Sequence, residues 1–457
     1  MELYIHIPFC VKKCRYCDFL SFAGKEACFK DYITTLNAEL DSYREMIGAR
    51  GLDTVFIGGG TPSILPLSLT EELLSCVDSL IAESGSKLRE YTIECNPGTL
   101  DGEKLRLYKC HGINRLSIGL QSADDAELKL LGRIHDYAGF LDNYRLARSE
   151  GFDNINIDLI SALPGQAVSS WERTLRTVAE LGPEHISAYS LIIEPGTPFF
   201  EIYSAAEGSG PRRDTGCGEY NSRCNEAGIP APEKMPPLPD EDTEREIYRM
   251  TARLLAEYGY ERYEISNYSK PGYGSKHNLG YWTGEDYIGA GLGASSYLQR
   301  RKADVTVTGT AHEDPDRKTD GSGPAPALAL RYKNTDDLQE YIRQYSDKTA
   351  DTDPGLPANM AAEFLHDGKI RVPMGCPEPE VLTRRDLIGE YMMLHLRLTD
   401  GFAEADFEQR FGESCDDLFG DIIDKYCRME LMERSDGRIR LTEAGLDVAN
   451  TIMADFI

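Results

Sequence analysis

The stretch Cys10-Val11-Lys12-Lys13-Cys14-Arg15-Tyr16-Cys17 places three thiols at the spacing C-x3-C-x2-C. It directly follows the alternating apolar run Leu3-Tyr4-Ile5-His6-Ile7-Pro8-Phe9, a pattern that predicts a strand stopped by its proline. The thiols are therefore expected in a loop at the carboxyl end of a strand. Because a loop obeys no helical or pleated geometry, all three thiols can converge on one centre.

Three kinds of centre can use such a triplet. Structural zinc needs four closed ligands, and the candidates for the fourth, Cys28 and His6, do not fall in a paired spacing. A disulfide leaves one thiol over and is rare in a reducing compartment. A [4Fe–4S] cluster held by Cys10, Cys14 and Cys17 leaves one iron open to a small molecule. We favour the cluster, because the following strands supply a pocket for that molecule.

The composition is that of an ordinary folded chain with a strongly acidic surface. The 457 residues carry a net charge of −27, which opposes binding to nucleic acid and to anionic lipid. No apolar run is long enough to span a membrane, and the N-terminus has no signal-peptide pattern. We therefore expect a cytoplasmic protein that is not an integral membrane protein, in which most of the 12 cysteines are free thiols or metal ligands.

Strand patterns alternate with helical patterns over the first 200 residues, and they predict an α/β fold. Such alternation implies parallel pairing with right-handed crossovers, and six units suit an open (β/α)6 partial TIM-type barrel. The predicted strands are 3–9, 54–57, 91–95, 115–119, 154–160 and 185–193. Each bears distinctive residues at or near its carboxyl end, where parallel sheets hold their sites: the cysteines, Gly58 to Gly60, Glu94, Gln121, Asp158 and Glu194.

The pattern divides the chain into five parts. Residues 1–203 form the predicted barrel, and residues 204–240 are a polar loop whose Cys217 and Cys224 we interpret as free thiols. Residues 241–346 extend the barrel and contain a further polar loop. Residues 347–383 form a polar linker, and residues 384–457 have a helical, winged-helix-like outline. That last part is more acidic than basic, so it favours packing or partner docking over DNA binding.

Several strand-end residues have the chemistry to hold an amino acid and a ribose. Gly58 to Thr61 leave main-chain groups open to a polar ligand, and no Walker sequence follows them. The carboxylates of Glu94 and Asp158 suit an ammonium group and hydroxyls, and Arg133 suits a carboxylate. Taken singly, each could equally form an ordinary salt bridge.

The cysteine triplet, followed by the strand end Gly58-Gly59-Gly60-Thr61-Pro62, resembles the radical S-adenosylmethionine superfamily. Within it, residues 4–10, 94–98, 118–122 and 157–160 resemble the oxygen-independent coproporphyrinogen III oxidase branch. The resemblance implies that the open iron chelates the methionine part of S-adenosylmethionine. It also implies that the cofactor is lined by Tyr4, Tyr16, Gly59, Gly60, Thr61, Glu94, Gln121, Arg133 and Asp158.

The branch has two arms, and Phe19 favours one of them. The oxidases carry a further cysteine at that position and a segment before the first strand, and this chain departs from both patterns. Its Cys17-Asp18-Phe19 and His277-Asn278-Leu279-Gly280-Tyr281-Trp282 runs resemble the heme chaperone arm. That likeness implies heme binding and delivery to respiratory proteins at the membrane. A coproporphyrinogen III dehydrogenase, or a radical enzyme acting on another substrate, are the alternatives, so whether the chain is an enzyme stays open.

His277 is the candidate heme ligand. A neutral imidazole is a common axial ligand of heme iron, and Tyr281 and Trp282 could stack on a porphyrin. The alternative is a loop histidine that hydrogen-bonds Asn278 or a main-chain carbonyl.

Overall fold

The largest sheet of the described structure has twelve strands. The computed structural model describes residues 1–206, 235–300, 328–346 and 379–457. Within these residues the strands lie in the order β12-β11-β10-β9-β1-β2-β3-β4-β5-β6-β8-β7. Their bounds are β1 Glu2–Ile7, β2 Thr54–Gly59, β3 Glu90–Cys95, β4 Arg115–Gln121, β5 Ile155–Ser161, β6 His185–Ser190, β7 Glu261–Arg262, β8 Asn267–Ser269, β9 Tyr287–Ala290, β10 Ser295–Gln299, β11 Ala329–Lys333 and β12 Glu380–Leu382.

The central strands are parallel, and over the described ranges the sheet does not close on itself. Neighbours from β1 to β6 pair in parallel, whereas β8, β7, β10, β11 and β12 are added antiparallel at the two sides. The expected open α/β architecture is thereby confirmed, with all six sequence-predicted strands present. A seventh parallel strand, β9, pairs with β1 and was not expected. Tyr287–Ala290 is short and runs into glycines, so it carries little strand signal of its own.

Helices connect the strands and cover the outer face of the sheet. Leu3, Ile5 and Ile7 are fully buried there, and the alternate residues of β1 face the other side. Burying one such side chain contributes about 1.5–3 kcal/mol. The helices of this part are α1 Phe29–Ser42, α2 Arg44–Arg50, α3 Leu67–Ser84, α4 Gly102–Cys110, α5 Asp125–Leu131, α6 Tyr137–Ser149, α7 Val168–Glu180, α8 Pro198–Ala206, α9 Glu241–Glu257, α10 Lys276–Thr283 and α11 Leu338–Ser346.

Two further local patterns, which predict one helix over residues 27–46 and a strand over residues 263–268, need correction. The helical pattern of residues 27–46 is divided at Tyr43 into α1 and α2. Residues 263–266 instead connect two short strands, β7 and β8, which pair antiparallel, so only Asn267 and Tyr268 of the expected strand lie in a strand. Glu264 lies inside this connection and accepts hydrogen bonds from Ser266 and Asn267, and these contacts replace strand pairing.

The C-terminal part packs helices around a small sheet. Its elements are α12 Arg384–His395, α13 Glu404–Phe411, α14 Cys415–Arg428, α15 Glu443–Leu446 and α16 Ala449–Ala454, with strands β13 Phe402–Ala403, β14 Met432–Ser435 and β15 Arg438–Leu441. The β14–β15 hairpin supports the expected winged-helix-like outline. This part has its own aromatic core, which also includes Tyr297 of β10 and Ala329 of β11. The C-terminal part is therefore packed against the extended side of the sheet.

Some expectations concern residues outside the described ranges. The loop cysteines Cys217 and Cys224, most of the 204–240 loop, the loop near residue 310 and most of the 347–383 linker all lie there. Among the helices that the structure describes, none combines the length and the apolar character needed to cross a membrane.

Candidate cofactor site

A cavity of about 400 Å³ opens at the carboxyl ends of the parallel strands. Strand direction brings its lining together, because the polar ends of β2 to β6 meet at one edge of the sheet. The lining includes the three loop cysteines and eight of the ten other residues predicted for the site. They are Cys10, Cys14, Cys17, Tyr16, Gly59, Gly60, Thr61, Glu94, Gln121, Arg133 and Asp158.

The cysteine loop is closed at its base and held at its middle. Phe9–Cys10 pairs with Phe22–Ala23, which brings the two ends of the loop together. At the middle, the main-chain N–H of Arg15 donates to Leu131 and its guanidinium donates to Leu130, both at the end of α5. The loop is therefore fixed to the barrel without using its thiols.

The surroundings of the thiols suit thiolate ligands. Among the described residues, no group of three Cys, His, Asp or Glu side chains is placed to hold a single metal ion. Two thiols already have hydrogen-bond donors beside them: Thr61 Oγ1 lies 3.5 Å from Cys10 Sγ, and Arg133 Nη1 lies 3.5 Å from Cys14 Sγ. Such donors stabilise thiolate ligands.

Asn96 joins these two donors, and sequence reasoning did not single it out as a site residue. Its amide nitrogen donates to Thr61 Oγ1 at 2.7 Å, and its Oδ1 accepts from Arg133 Nη2 at 2.6 Å. The signal for it was its position, directly after the last residue of β3 and at the start of the Asn96-Pro97-Gly98 turn.

The glycines at the end of β2 allow a close backbone approach. Gly59 has φ = +110°, and a Cβ there would lie 2.4 Å from the ring of His6. A Cβ on Gly60 would lie 2.7 Å from the carbonyl oxygen of Phe9. Only glycine fits both positions. The N–H of Gly59 donates to Glu94 Oε2 at 2.9 Å, which fixes that carboxylate in the cavity.

Glu94 and Asp158 place two carboxyl groups in the cavity. Burial, reinforced by the neighbouring charge of Asp158, raises the pKa of Glu94 to about 8. Asp158 is held by Ser117 Oγ at 2.8 Å and by Asn156 Nδ2 at 2.9 Å. A cation placed between the two carboxylates would relieve their repulsion, as the ammonium group of an amino acid can.

Three buried polar atoms of residues that line the cavity have no partner among the described residues. They are Gln121 Oε1, Arg133 Nε and His135 Nδ1. Gln121 also adopts φ = +70° at the end of β4, a conformation that non-glycine residues rarely hold. Unpaired buried groups and local strain at a strand end are typical of a ligand site. These residues therefore fit a polar ligand such as S-adenosylmethionine.

Tyr4 lies outside this cavity, contrary to the expectation that it lines the cofactor site. Its hydroxyl is 2.9 Å from His6 Nδ1, and its ring stacks on Phe56 with centroids 6.2 Å apart. It borders a second cavity, of about 820 Å³, next to the first. Tyr4 points there because Tyr4 and His6 alternate with the outward-facing Leu3 and Ile5 on β1.

His277 lies outside both cavities and is 1% exposed. Its Nδ1 is 2.7 Å from Thr54 Oγ1, and its Nε2 is 2.9 Å from the hydroxyl of Tyr281. Burial lowers its pKa to about 3, so the ring is neutral. Both ring nitrogens already have partners, and the expected role as a direct heme ligand does not fit this arrangement. Nor is His277 a loop histidine, because it lies in the first turn of α10.

Comparisons with known proteins agree with this geometry. The sequence model of the Radical SAM superfamily matches residues 4–178, and that of the HemN C-terminal domain matches residues 382–448. A heme chaperone HemW from Bacillus subtilis (strain 168) is 30% identical, with 99% of this chain and 98% of that protein covered. This chain belongs to the HemW family of radical SAM proteins. A HemW from Escherichia coli (strain K12) is 39% identical over 64% of this chain and 69% of its own length.

The solved structure of coproporphyrinogen III oxidase (HemN) from Escherichia coli, described as a radical SAM enzyme, has the same fold as this HemW-family chain. It superposes with a TM-score of 0.68 over 100% of this chain and 89% of its own, at 20% identity. Membership of the superfamily implies a [4Fe–4S] cluster and S-adenosylmethionine, and the residues of the first cavity fit both.

Proposed function

We propose that this protein is a heme chaperone that binds heme and passes it to respiratory acceptor proteins at the membrane. The observation that carries the proposal is the likeness to HemW along essentially the whole chain, since the match covers 99% of it. The protein would act in the cytoplasm and reach the membrane through its acceptors.

The cluster and S-adenosylmethionine belong to the same proposal. When bound, the cluster supplies an electron that can cleave the sulfonium of its ligand, and this chemistry belongs to the cofactors. In the chain, Cys10, Cys14 and Cys17 hold the cluster, and Glu94 and Asp158 bind the ammonium and hydroxyl groups of S-adenosylmethionine. Arg133, which lies beside Cys14 Sγ, orients its carboxylate.

The runner-up function is a coproporphyrinogen III dehydrogenase, in which a radical oxidises a propionate before decarboxylation. The likeness to HemN in fold favours it. Phe19 argues against this function, because the oxidases carry a further cysteine at that position. The Phe19 side chain is 63% exposed and lies at the mouth of the cavity. A phenyl ring cannot supply the thiol that the oxidases carry at that position.

One anaerobic experiment separates the two functions. The cluster is reconstituted, S-adenosylmethionine and reductant are added, and the protein is divided between coproporphyrinogen III and a heme titration. The chaperone proposal expects saturable heme uptake with a defined Soret band and no protoporphyrinogen. Formation of protoporphyrinogen over many turnovers would establish the dehydrogenase function instead. Absence of heme binding would contradict the chaperone proposal.

A further inference from the structure

The second cavity lies between the extended sheet and the C-terminal part. Its floor comes from β9, β10 and β11, and it is bordered by the end of α10 and by Met393 and Leu394 of α12. Its volume of about 820 Å³ is in the range of pockets that hold large cofactors. It is twice the size of the first cavity and shares Lys13, Asp18 and Phe19 with it.

One wall of this cavity is aromatic. The rings of Tyr281 and Tyr287 meet edge to face with centroids 4.7 Å apart, and Tyr287 stacks on Tyr297 at 5.9 Å. Trp282 adds an indole whose other face is covered by the guanidinium of Arg397, 4.3 Å from the ring centroid. Phe19 closes the side towards the first cavity. An aromatic wall of this kind suits a large apolar ring.

Polar groups at the edge of the wall suit carboxylates. Arg331 and Lys333 are alternate residues of β11, so both face the cavity. Arg331 donates to Glu390 at 2.6 Å and to Glu380 at 3.0 Å. A guanidinium has five N–H donors, more than these two hydrogen bonds use. The indole N–H of Trp282 is buried without a partner among the described residues. An unpaired buried donor needs an acceptor from a water or a ligand.

The charges around the cavity nearly balance, so net charge alone does not attract a ligand. A ligand that binds here needs apolar area for the aromatic wall and hydrogen-bond acceptors for the cations. The cations are Lys13, Arg331 and Lys333, and the carboxylates are Asp18, Glu285, Asp336 and Glu390. Lys333 is paired with Asp336 at 2.8 Å. Such a rim does not attract a simple polyanion, but it can hold two carboxylates attached to a ring that the aromatic wall binds.

We propose that the second cavity is the binding site for a planar tetrapyrrole, with its ring against Tyr287 and Tyr297 and its carboxylates at Arg331 and Lys333. The assignment rests on the proposed heme chaperone function and names the place of its ligand. His277 then acts as a positioning residue, because it holds the hydroxyl of Tyr281 from behind the wall. Phe19 separates the tetrapyrrole from the cofactor pocket, which explains why an aromatic residue follows the cysteine loop.

A variant that fills the cavity tests the site. Ser295 lies on β10 and lines the cavity, so Ser295→Trp places an indole in the ring's position. Ser435→Trp makes the same change on an exposed strand of the C-terminal sheet and serves as the control. We expect Ser295→Trp to weaken heme binding at least about tenfold, while S-adenosylmethionine binding to the reconstituted protein, which also reports correct folding, stays within about twofold.

The outcomes distinguish the two proposals. If the unchanged protein does not bind heme, the proposed function fails. If it binds heme and Ser295→Trp, folded by the S-adenosylmethionine criterion, binds heme equally well, the function stands and the cavity assignment is overturned.

A second pair of ligands tests the orientation. The double variant Arg331→Gln/Lys333→Gln is titrated with heme and with heme dimethyl ester, which lacks free carboxylates. We expect a loss of about tenfold for heme and little change for the ester, since only free carboxylates form charge-assisted hydrogen bonds with these cations. Equal effects on both ligands, or no effect on either, would contradict carboxylate binding at β11. Arg245→Gln, on the exposed face of α9, is the matched control.

Discussion

The Oδ1 atom of Asn96 accepts a 2.6 Å hydrogen bond from the guanidinium of Arg133. Through its amide nitrogen the same side chain donates to Thr61, so one residue orients the donors to both Cys10 and Cys14. Asn96 therefore controls how strongly two of the three thiols that we propose as cluster ligands are hydrogen-bonded.

Replacing Asn96 with alanine is expected to lower the reduction potential of the cluster. Hydrogen bonds to the cluster sulfurs stabilise the reduced, more negative state, and without Asn96 both donors lose their alignment. Redox titration followed by electron paramagnetic resonance measures the shift. Asn143→Ala, which removes a hydrogen bond to Gly98 but none to the thiol donors, is the control. A potential equal to that of the unchanged protein would show that the Asn96 contacts do not matter to the cluster.

Binding of S-adenosylmethionine is expected to strengthen as the pH rises towards 8. The pKa of Glu94 is about 8 in the empty cavity, so below that pH the group is mainly a neutral acid that attracts an ammonium weakly. Deprotonation creates the attractive carboxylate, and the affinity can rise by at most about tenfold per pH unit. Isothermal titration calorimetry between about pH 6 and about pH 9 measures this slope. Glu94→Gln should bind weakly and lose the slope; a variant that keeps it would assign the dependence to another group.

His277→Ala is expected to weaken heme binding without moving the Soret band. The histidine holds Tyr281 but does not reach the cavity, so its loss loosens the wall and leaves the iron ligands unchanged. An effect of roughly 1 kcal/mol, about a fivefold loss of affinity, corresponds to one hydrogen bond. Tyr281→Phe removes the same bond and should behave alike. A Soret band that shifts in His277→Ala but not in Tyr281→Phe would restore the histidine as the iron ligand.

The ion pair between Arg50 and Asp286 is expected to be important for stability. Its side chains are only 7% and 4% exposed, and the two charged atoms are 2.6 Å apart. Asp286→Ala leaves the arginine buried without this carboxylate, which typically costs about 3–5 kcal/mol. Asp416→Ala, which breaks an exposed pair with Arg434, should cost less than about 1 kcal/mol. Denaturant unfolding followed by circular dichroism compares them, and equal losses would show that burial is not what makes the first pair important.

Local patterns were sufficient to predict the parallel half of the fold and most of the cofactor cavity. The residues of each strand end are consecutive, and parallel pairing alone brings Glu94, Gln121 and Asp158 to one edge of the sheet. Strand β9 escaped prediction because Tyr287–Ala290 is short and runs into glycines, so only its pairing with β1 identifies it as a strand. Asn96 escaped because its role depends on two contacts from other elements.

The residues that we propose for heme binding were harder to predict from the sequence, because their roles also depend on contacts with other elements. The motif around His277 indicated aromatic and imidazole chemistry, but not which side chains would be exposed to a ligand. Burial of the histidine follows from the packing of α10 against β2, where Thr54 and Phe56 meet its ring. The larger cavity is assembled from the extended side of the sheet, the loop that contains Phe19, and α12, and no local sequence pattern predicts that these parts meet.

Transfer of heme tests the central claim most directly. Protein loaded with one heme is mixed with a heme-free respiratory acceptor in membranes, and the acceptor's absorption spectrum is followed over a range of acceptor concentrations. Direct delivery predicts a transfer rate that rises with acceptor concentration and exceeds the rate of heme loss to an unrelated heme-binding scavenger. A rate that is independent of the acceptor and equal to the loss to the scavenger would contradict the account, since the protein would then release heme without delivering it.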